Sequence, residues 1–548
     1  MVSVLVLFLA TAASSARAVV STLYVGGIAC SDTGSGTVAQ PYCTISAAAR
    51  VAVAGQTVQV GPGSYAEQIR PANSGTSTAP LTFSASPGAD VTVTGATHSF
   101  DLSYRSYVNV SGFTSTNTSS SGIYLKNTDH ATISANTVTT AGQPVSGLTA
   151  YGIYLNMTTD SVVQGNLTYG NSGAGIYLTG GTTRVTVDRN DSHDNANGYQ
   201  RAATGIDVRA PNNVITRNRL HNNEDSGLQT YPGGDNNQIV GNVAYDNKGF
   251  STTPETNCDK PPSGASGCIT GDHGIDNYGT RGNSLVGNTV YNNVSAGINV
   301  EGLTATYLAS SIGESDTTIQ VGSAKGFPSS TSFRIQIDNE RATVVAGQGT
   351  TTWTVIRGAD GTTATSHAAG CDGSSCALKN LNVLQWAGFL LENNISVDNA
   401  IKCPDGNGDV RTPCSRTKGE IRVDQYSRVG SSADYNLSWT SSTTYPYVYT
   451  WGNPMFATLG ALRTATGQEL HGSQANPLWA DGVGHNFFLT SGSLAIDAAD
   501  SSAFGELSTD ADGASRIDDP GTTNTGYGPS TYDDRGAFEY QPPIVGTP

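Results

Sequence analysis

Asp225, Asp272 and Asp276 fall in two copies of one short pattern, Glu224-Asp225-Ser226-Gly227 and Asp272-His273-Gly274-Ile275-Asp276. If the copies lie on neighbouring strands, ~4.8 Å apart, Asp225 and Asp272 are like charges at close range. Such a pair is unfavourable unless one carboxyl keeps its proton or a cation sits between them. Three carboxylates on two strands offer only oxygen ligands, the kind a hard cation such as Ca2+ takes. Asp207 and Glu301 belong to the same pattern. Asp276 and Glu301, one strand apart and two residues along, are expected about 8 Å apart, and Asp207 and Asp276 about 9.6 Å. Both separations suit a general acid working with a general base. Arg209 is the nearest basic side chain to these acids by position. Beside them, Tyr154, Tyr177, Tyr231 and Tyr278, with His273, offer rings that could stack on sugars or only on one another.

These side chains share a surface only if the chain repeats. The repeated unit is Gly, a branched apolar residue, a variable residue, then usually another apolar one, beginning at Gly122, Gly152, Gly175, Gly205, Gly227, Gly274 and Gly297. Gly388-Phe-Leu-Leu and Gly419-Glu-Ile-Arg-Val read as later, degenerate copies, and start-to-start spacings are 30, 23, 30, 22, 47, 23, 91 and 31 residues. Between copies lie short alternating strands closed by Asn, as in Asn213-Val-Ile-Thr-Arg-Asn and Asn237-Gln-Ile-Val-Gly-Asn. Alternation buries one face of each strand. A unit of ~22 residues cannot bury that face alone, so units must stack into a solenoid. Asn and Gly at the corners suit a left-handed turn backbone. Stacking in register makes two outward columns. One reads Tyr124, Tyr154, Tyr177, Asp207, Gln229, Asp276, Asn299; the other reads Lys126, Asn156, Thr179, Arg209, Tyr231, Tyr278, Glu301.

Composition agrees with an all-β chain. Gly is 65 of 548 residues, charged residues are 13%, and Met is 3. The formal charge of −16 argues against nucleic acid, whose phosphates need clustered Lys and Arg. Residues 1–18 read as a secretory signal: Val2 to Ala13 is apolar and Ala16-Arg17-Ala18 is a small-x-small cleavage site. No later stretch has the ~18 apolar residues of a membrane span. Eight cysteines fall into local pairs, Cys30/Cys43, Cys258/Cys268, Cys371/Cys376 and Cys403/Cys414, as an oxidising, extracellular compartment permits. A monomer is expected.

The solenoid is expected over 19–302, with a helix from Pro41 to Val53 capping its N-terminal end, and to resume over 371–548 with a C-terminal cap. Lys248 to Gly271 inserts a loop. Leu303 to Gly370 inserts a small β module, with strands at Thr317-Thr-Ile-Gln-Val, Phe333-Arg-Ile-Gln-Ile-Asp and Trp353-Thr-Val-Ile-Arg. It resembles modules of phage and secreted bacterial proteins.

The repeat resembles that of right-handed parallel β-helix carbohydrate-active enzymes. Leu23-Tyr-Val, Pro41-Tyr-Cys-Thr-Ile-Ser-Ala-Ala and Val58-Gln-Val-Gly-Pro-Gly-Ser-Tyr are similar to the opening of many secreted members, and Ser493-Leu-Ala-Ile-Asp and Asp533-Asp-Arg-Gly-Ala-Phe-Glu-Tyr to their close. Asp225 followed by Asp272-His-Gly-Ile-Asp276 is similar to the calcium site of family 9 polysaccharide lyases, with His273 in place of one Asp. The resemblance implies that Asp225, Asp272 and Asp276 bind Ca2+. The family's catalytic Lys is not matched, since Gly297-Ile-Asn299 offers Asn. Three activities remain open. A calcium-assisted lyase would act on a uronic-acid polysaccharide, with Arg209 or Lys248 as the basic group. An inverting glycoside hydrolase would use Asp276 and Glu301. A non-catalytic adhesion solenoid would use the columns only as surface.

Overall fold

The computed structural model describes residues 21–142, 149–196, 203–247, 273–374, 376, 379–400, 403–404, 410–411, 419–443 and 446–542. The expected signal segment, residues 1–18, together with Lys248–Gly271, Cys258, Cys268, Asp272 and Cys414, lies outside them. Among the described residues the strands form three long sheets. The first has twelve strands, from Thr22–Val25 to Ser432–Asp434. The second has eleven, from Gly63–Tyr65 to Leu437–Trp439. The third has eleven, from His98–Asp101 to Met455–Phe456. Each strand pairs in parallel with its counterpart one rung away, apart from the antiparallel last strand of the third sheet. The result is a parallel β-helix, whose interior is filled by residues such as Ile123, Leu125, Ile133 and Val138, all fully buried.

The Gly-Ile-x-Leu copies form the third sheet in the expected register, Ile123↔Ile153↔Ile176↔Ile206↔Leu228↔Ile275↔Ile298. The motif glycines from Gly122 to Gly297 are not corner residues and have no left-handed backbone. Their reason is space: a Cβ on Gly175 would sit 2.1 Å from Ser192 Oγ, and one on Gly152 would sit 2.4 Å from the Gly175 carbonyl oxygen. The expected left-handed corner falls on the residue before each inward-turned asparagine: a glycine at Gly165, Gly241 and Gly287, an asparagine at Asn212, Asn236 and Asn393, and another residue at Ala135, Arg189 and Arg217. This turns the asparagine side chains inward. Asn136, Asn166, Asn190, Asn218, Asn242, Asn288, Asn394 and Asn436 form a buried ladder, each side-chain oxygen accepting from the preceding rung's backbone N–H and amide at 2.8–3.1 Å. A second ladder runs from Asn171 to Asn399. Where no further asparagine follows, carboxyls accept instead: Glu469 from Asn436 at 2.6 Å and Glu420 from Asn399 at 2.7 Å. An unmet partner in so dry a place costs about 1–3 kcal/mol, so every rung demands the next.

Three expectations are corrected. Gly388-Phe-Leu-Leu is not a third-sheet copy, because Leu390–Glu392 pairs with Ser284–Val286 in the first sheet. The inserted module does not end at Gly370: its six-stranded antiparallel sheet opens with Ala305–Thr306 and takes its last strand from Val383–Gln385, which pairs with Ala305–Thr306 and Phe333–Ile337. It has its own core around Trp353, Phe333 and Ile335. The N-terminal helix, α1 (Ile45–Val51), is shorter than expected, because Thr44 caps it by accepting from the Ala47 N–H.

The other end of the helix stack is closed by α2 (Leu459–Thr466), whose Leu459 and Leu462 join the same core as Trp451. The chain then runs back along the first and second sheets, placing Phe487, Ala537 and Phe538 on Val243 and Tyr245. The closing motif pins it there: Arg535 donates to the Ala498 carbonyl oxygen, Ser473 Oγ and the His471 carbonyl oxygen at 2.7–2.9 Å. Two of the four expected disulfides, Cys30–Cys43 and Cys371–Cys376, fall in the described residues and are formed. No helix among the described residues is long and apolar enough to cross a membrane.

Candidate functional site

The third sheet carries one continuous outward column: Asp101, Tyr124, Tyr154, Tyr177, Asp207, Gln229, Asp276, Asn299, Arg422, Thr450. Seven members were expected from the repeat. Asp101, Arg422 and Thr450 were missed as column residues. The strand bearing Asp101 has no Gly-Ile motif; the copy bearing Arg422, Gly419-Glu-Ile-Arg-Val, has one extra residue, and counting from Ile421 instead of the glycine would have found it.

The middle of the column is acidic and closed off. Asp207, Asp225 and Asp276, from three successive rungs, are all less than a tenth exposed, although the column faces out of the sheet. Burial pushes Asp225 up to about 7, and the neighbouring Asp276 carboxyl adds to this. Burial also raises Asp276, against the pull of His273 and two amide hydrogen bonds. Those amides come from Gln229 at 2.9 Å and Asn299 at 2.8 Å, one from each adjacent rung. Burial lifts Asp207 while Arg209 pulls it back.

Arg209, considered above as a proton acceptor, is ion-paired instead. Its Nε donates to both Asp207 oxygens at 3.1–3.2 Å, and its guanidinium lies 4.5 Å from the Tyr231 ring centre. Burial lowers its affinity for the proton, but the Asp207 carboxylate outweighs that and raises it, so Arg209 stays a cation. His273, expected at the surface with the tyrosines, is only 2% exposed. Its Nδ1 lies 3.2 Å from the Ala296 carbonyl oxygen, and burial lowers its pKa, so the neutral ring donates there. At the far side, Glu301 pairs with Arg422 at 2.6 Å, and the same guanidinium nitrogen donates to Asn299 Oδ1 at 2.6 Å. The register sets Tyr278 opposite Glu301 and Asp276 opposite Asn299, so Asp276 and Glu301 are diagonal neighbours.

Residues 121–312 match the family described as "Right handed beta helix region". The described residues of this stretch up to Glu301 form a right-handed β-helix. It holds the expected site residues from Tyr154 to Glu301, while Asp101 and Arg422 flank it. No curated protein matches the chain. Among solved structures, the β-helix is similar to pectate lyase Pel9A at 14% identity over 95% of this chain and 98% of that one, with a TM-score of 0.47. The complex of XylC with xylose matches at 12% identity over 94% and 98%, TM-score 0.45. A mannuronan C-5 epimerase A-module from Azotobacter vinelandii matches at 10% identity over 77% and 91%, TM-score 0.38.

Beside the acids the β-helix presents an aromatic surface. Tyr124, Tyr154 and Tyr177 follow one another at 5.1–5.2 Å, and Tyr231 stacks on Tyr278 at 5.0 Å. All are half-buried.

The carboxyls give the β-helix a pH signature. Asp225, Glu392 and Glu469 are each pushed up to about 7, chiefly by burial. Unfolded, such groups lose their protons near pH 4. A carboxyl whose folded pKa is raised contributes stability below its unfolded pKa, and that stability is lost as pH rises toward the folded value. Buried His98 and His273 act in the opposite sense, being lowered, but are fewer. The melting temperature is therefore expected to be higher at pH 5 than at pH 8. Scanning calorimetry with chelator present checks this, and a higher melting temperature at pH 8 contradicts it.

Proposed function

We propose that the chain is a secreted polysaccharide-processing enzyme that cleaves a uronic-acid-containing glycan by β-elimination. The observation that carries this reading is the run of three buried carboxyls, Asp207, Asp225 and Asp276, on successive rungs between a tyrosine surface and the Glu301–Arg422 pair. Two disulfides agree with export. Tyr154, Tyr177, Tyr231 and Tyr278 support the sugar rings. Arg209, fixed by Asp207, presents its guanidinium to a substrate carboxylate.

The donor set fits a hard divalent cation. Asp225 and Asp276 supply only oxygens, and burial leaves both needing either a proton or positive charge beside them. Asp225, Asp276 and the sequence neighbour Asp272 would hold Ca2+. When bound, the ion neutralises the substrate carboxylate and acidifies the proton on the adjoining carbon. Glu301 accepts that proton from C5. The electron pair forms the C4–C5 double bond, the C4–O bond breaks, and the departing oxygen takes a proton from water. Arg422 positions Glu301.

A second reading, inverting hydrolysis, is favoured by one observation: Asp276 is raised by burial, as a general acid should be, and lies diagonal to Glu301 at about 8 Å. A panel of acidic and neutral glycans, with Ca2+ or with chelator, separates the readings. Ultraviolet absorbance of an unsaturated product that disappears with chelator is the expected result. New reducing ends without absorbance, unaffected by chelator, select hydrolysis by Asp276 and Glu301. Binding without cleavage of any glycan selects the adhesion reading.

A further inference from the structure

We infer that the N-terminal end of the outward column is a separate cationic subsite, which takes a carboxylate-bearing sugar of the same polysaccharide. The inference rests on the acidic-glycan reading above. The chain carries 44 acidic against 28 basic side chains, yet Arg70, Arg105 and Lys126 converge on one cleft of about 400 Å³ with a single carboxylate, Asp101.

Asp101 anchors rather than cancels this charge. It is buried and holds the Arg70 guanidinium at 2.6 Å, while the Arg70 side chain stays 69% exposed. Arg105 is aimed by backbone alone, its Nε donating to the Pro71 carbonyl oxygen at 2.6 Å and a terminal nitrogen to the Tyr104 carbonyl oxygen at 2.9 Å. Among the described residues, neither Arg105 nor Lys126 forms an ion pair. A fixed fork and a point charge with no acidic partner are what a carboxylate needs. The floor is aromatic: Tyr124 stacks on His98 at 4.7 Å and continues into Tyr154 at 5.1 Å. The cleft therefore opens onto the same tyrosine surface that leads to Asp207. Asp101 and Asp276 are six rungs apart along the column, about 29 Å, so only a long oligosaccharide reaches both.

The test is calorimetric titration of the full chain with oligogalacturonates and oligomannuronates, in lengths shorter and longer than that span, with neutral galactan oligomers as the control. Lys126→Ala and the charge-reversing Lys126→Glu are the main variants, and Arg105→Gln is a second because its backbone bonds also order its loop. For long acidic oligomers, Lys126→Ala is expected to raise Kd about tenfold and Lys126→Glu more, with no such change for the neutral galactan control. Unchanged affinity of Lys126→Glu for long acidic oligomers overturns the subsite, and leaves the proposed reaction standing if those oligomers are still cleaved. Wild-type protein that ignores acidic oligomers but cleaves neutral ones overturns both.

Discussion

Asp276→Asn is expected to lower kcat on the responsive glycan by about a thousandfold while the protein stays folded. The substitution keeps the side chain's shape. Asp276 now accepts one amide hydrogen bond from Gln229 and one from Asn299. The variant amide can still accept from Asn299, and the Gln229 amide can turn to present its oxygen. What disappears is the carboxyl. The loss of one acid–base group typically costs about 10²–10⁴ in rate, and here the same group would also help to hold the cation. Two measurements divide the possibilities: calorimetric Ca2+ affinity, and kcat with excess Ca2+. Loss of Ca2+ affinity with partial recovery of kcat in excess Ca2+ supports elimination. Loss of kcat with no Ca2+ binding in either protein supports hydrolysis. An Asp276→Asn variant within tenfold of wild type removes Asp276 from the chemistry altogether.

Glu301→Gln is expected to cost about 10²–10⁴ in kcat, because Glu301 is the proton acceptor in both readings. Arg422 acts through it. One guanidinium nitrogen bridges Asn299 and Glu301, so it fixes the carboxylate beside Asp276 across three rungs. Arg422→Met should therefore lower kcat more than it raises KM and should displace the acidic limb of the pH–rate profile. Arg422→Lys keeps the charge and should restore that limb, though it cannot make both contacts with the same geometry. If Arg422→Met lowers the melting temperature but leaves the pH profile in place, the pair serves only stability. A Glu301→Gln enzyme with wild-type kcat moves the proton acceptor to another residue.

Much of this site was legible because the repeat sets its own register. Every Gly-Ile-x-Leu copy places its third residue on the same side of the same sheet, so Tyr154, Tyr177, Asp207, Asp276 and Asn299 line up from spacing alone. The stacking itself follows from units too short to bury their own apolar faces. Glu301 and Tyr278 follow from the same alternation two residues on.

What spacing could not decide was which strands join which sheet when the motif fades, and what covers the column from outside. Gly388-Phe-Leu-Leu matches the motif yet serves the first sheet, because the inserted module ends with Val383–Gln385 and the chain rejoins the stack partway round a rung, at Leu390–Glu392. The strand after Gly419 then continues the third sheet and delivers Arg422 to Asn299 and Glu301. Asp101 joins the column from a strand with no motif at all. The asparagines announced turns, but their direction, inward into two ladders ending on Glu420 and Glu469, depends on partners 21 to 106 residues away. The alternation along a strand tells only which way a side chain points. Whether an outward Asp276 is exposed or buried, and whether Arg209 is free or held by Asp207, depends on side chains from other rungs filling the space around it, and those meet only in the folded stack.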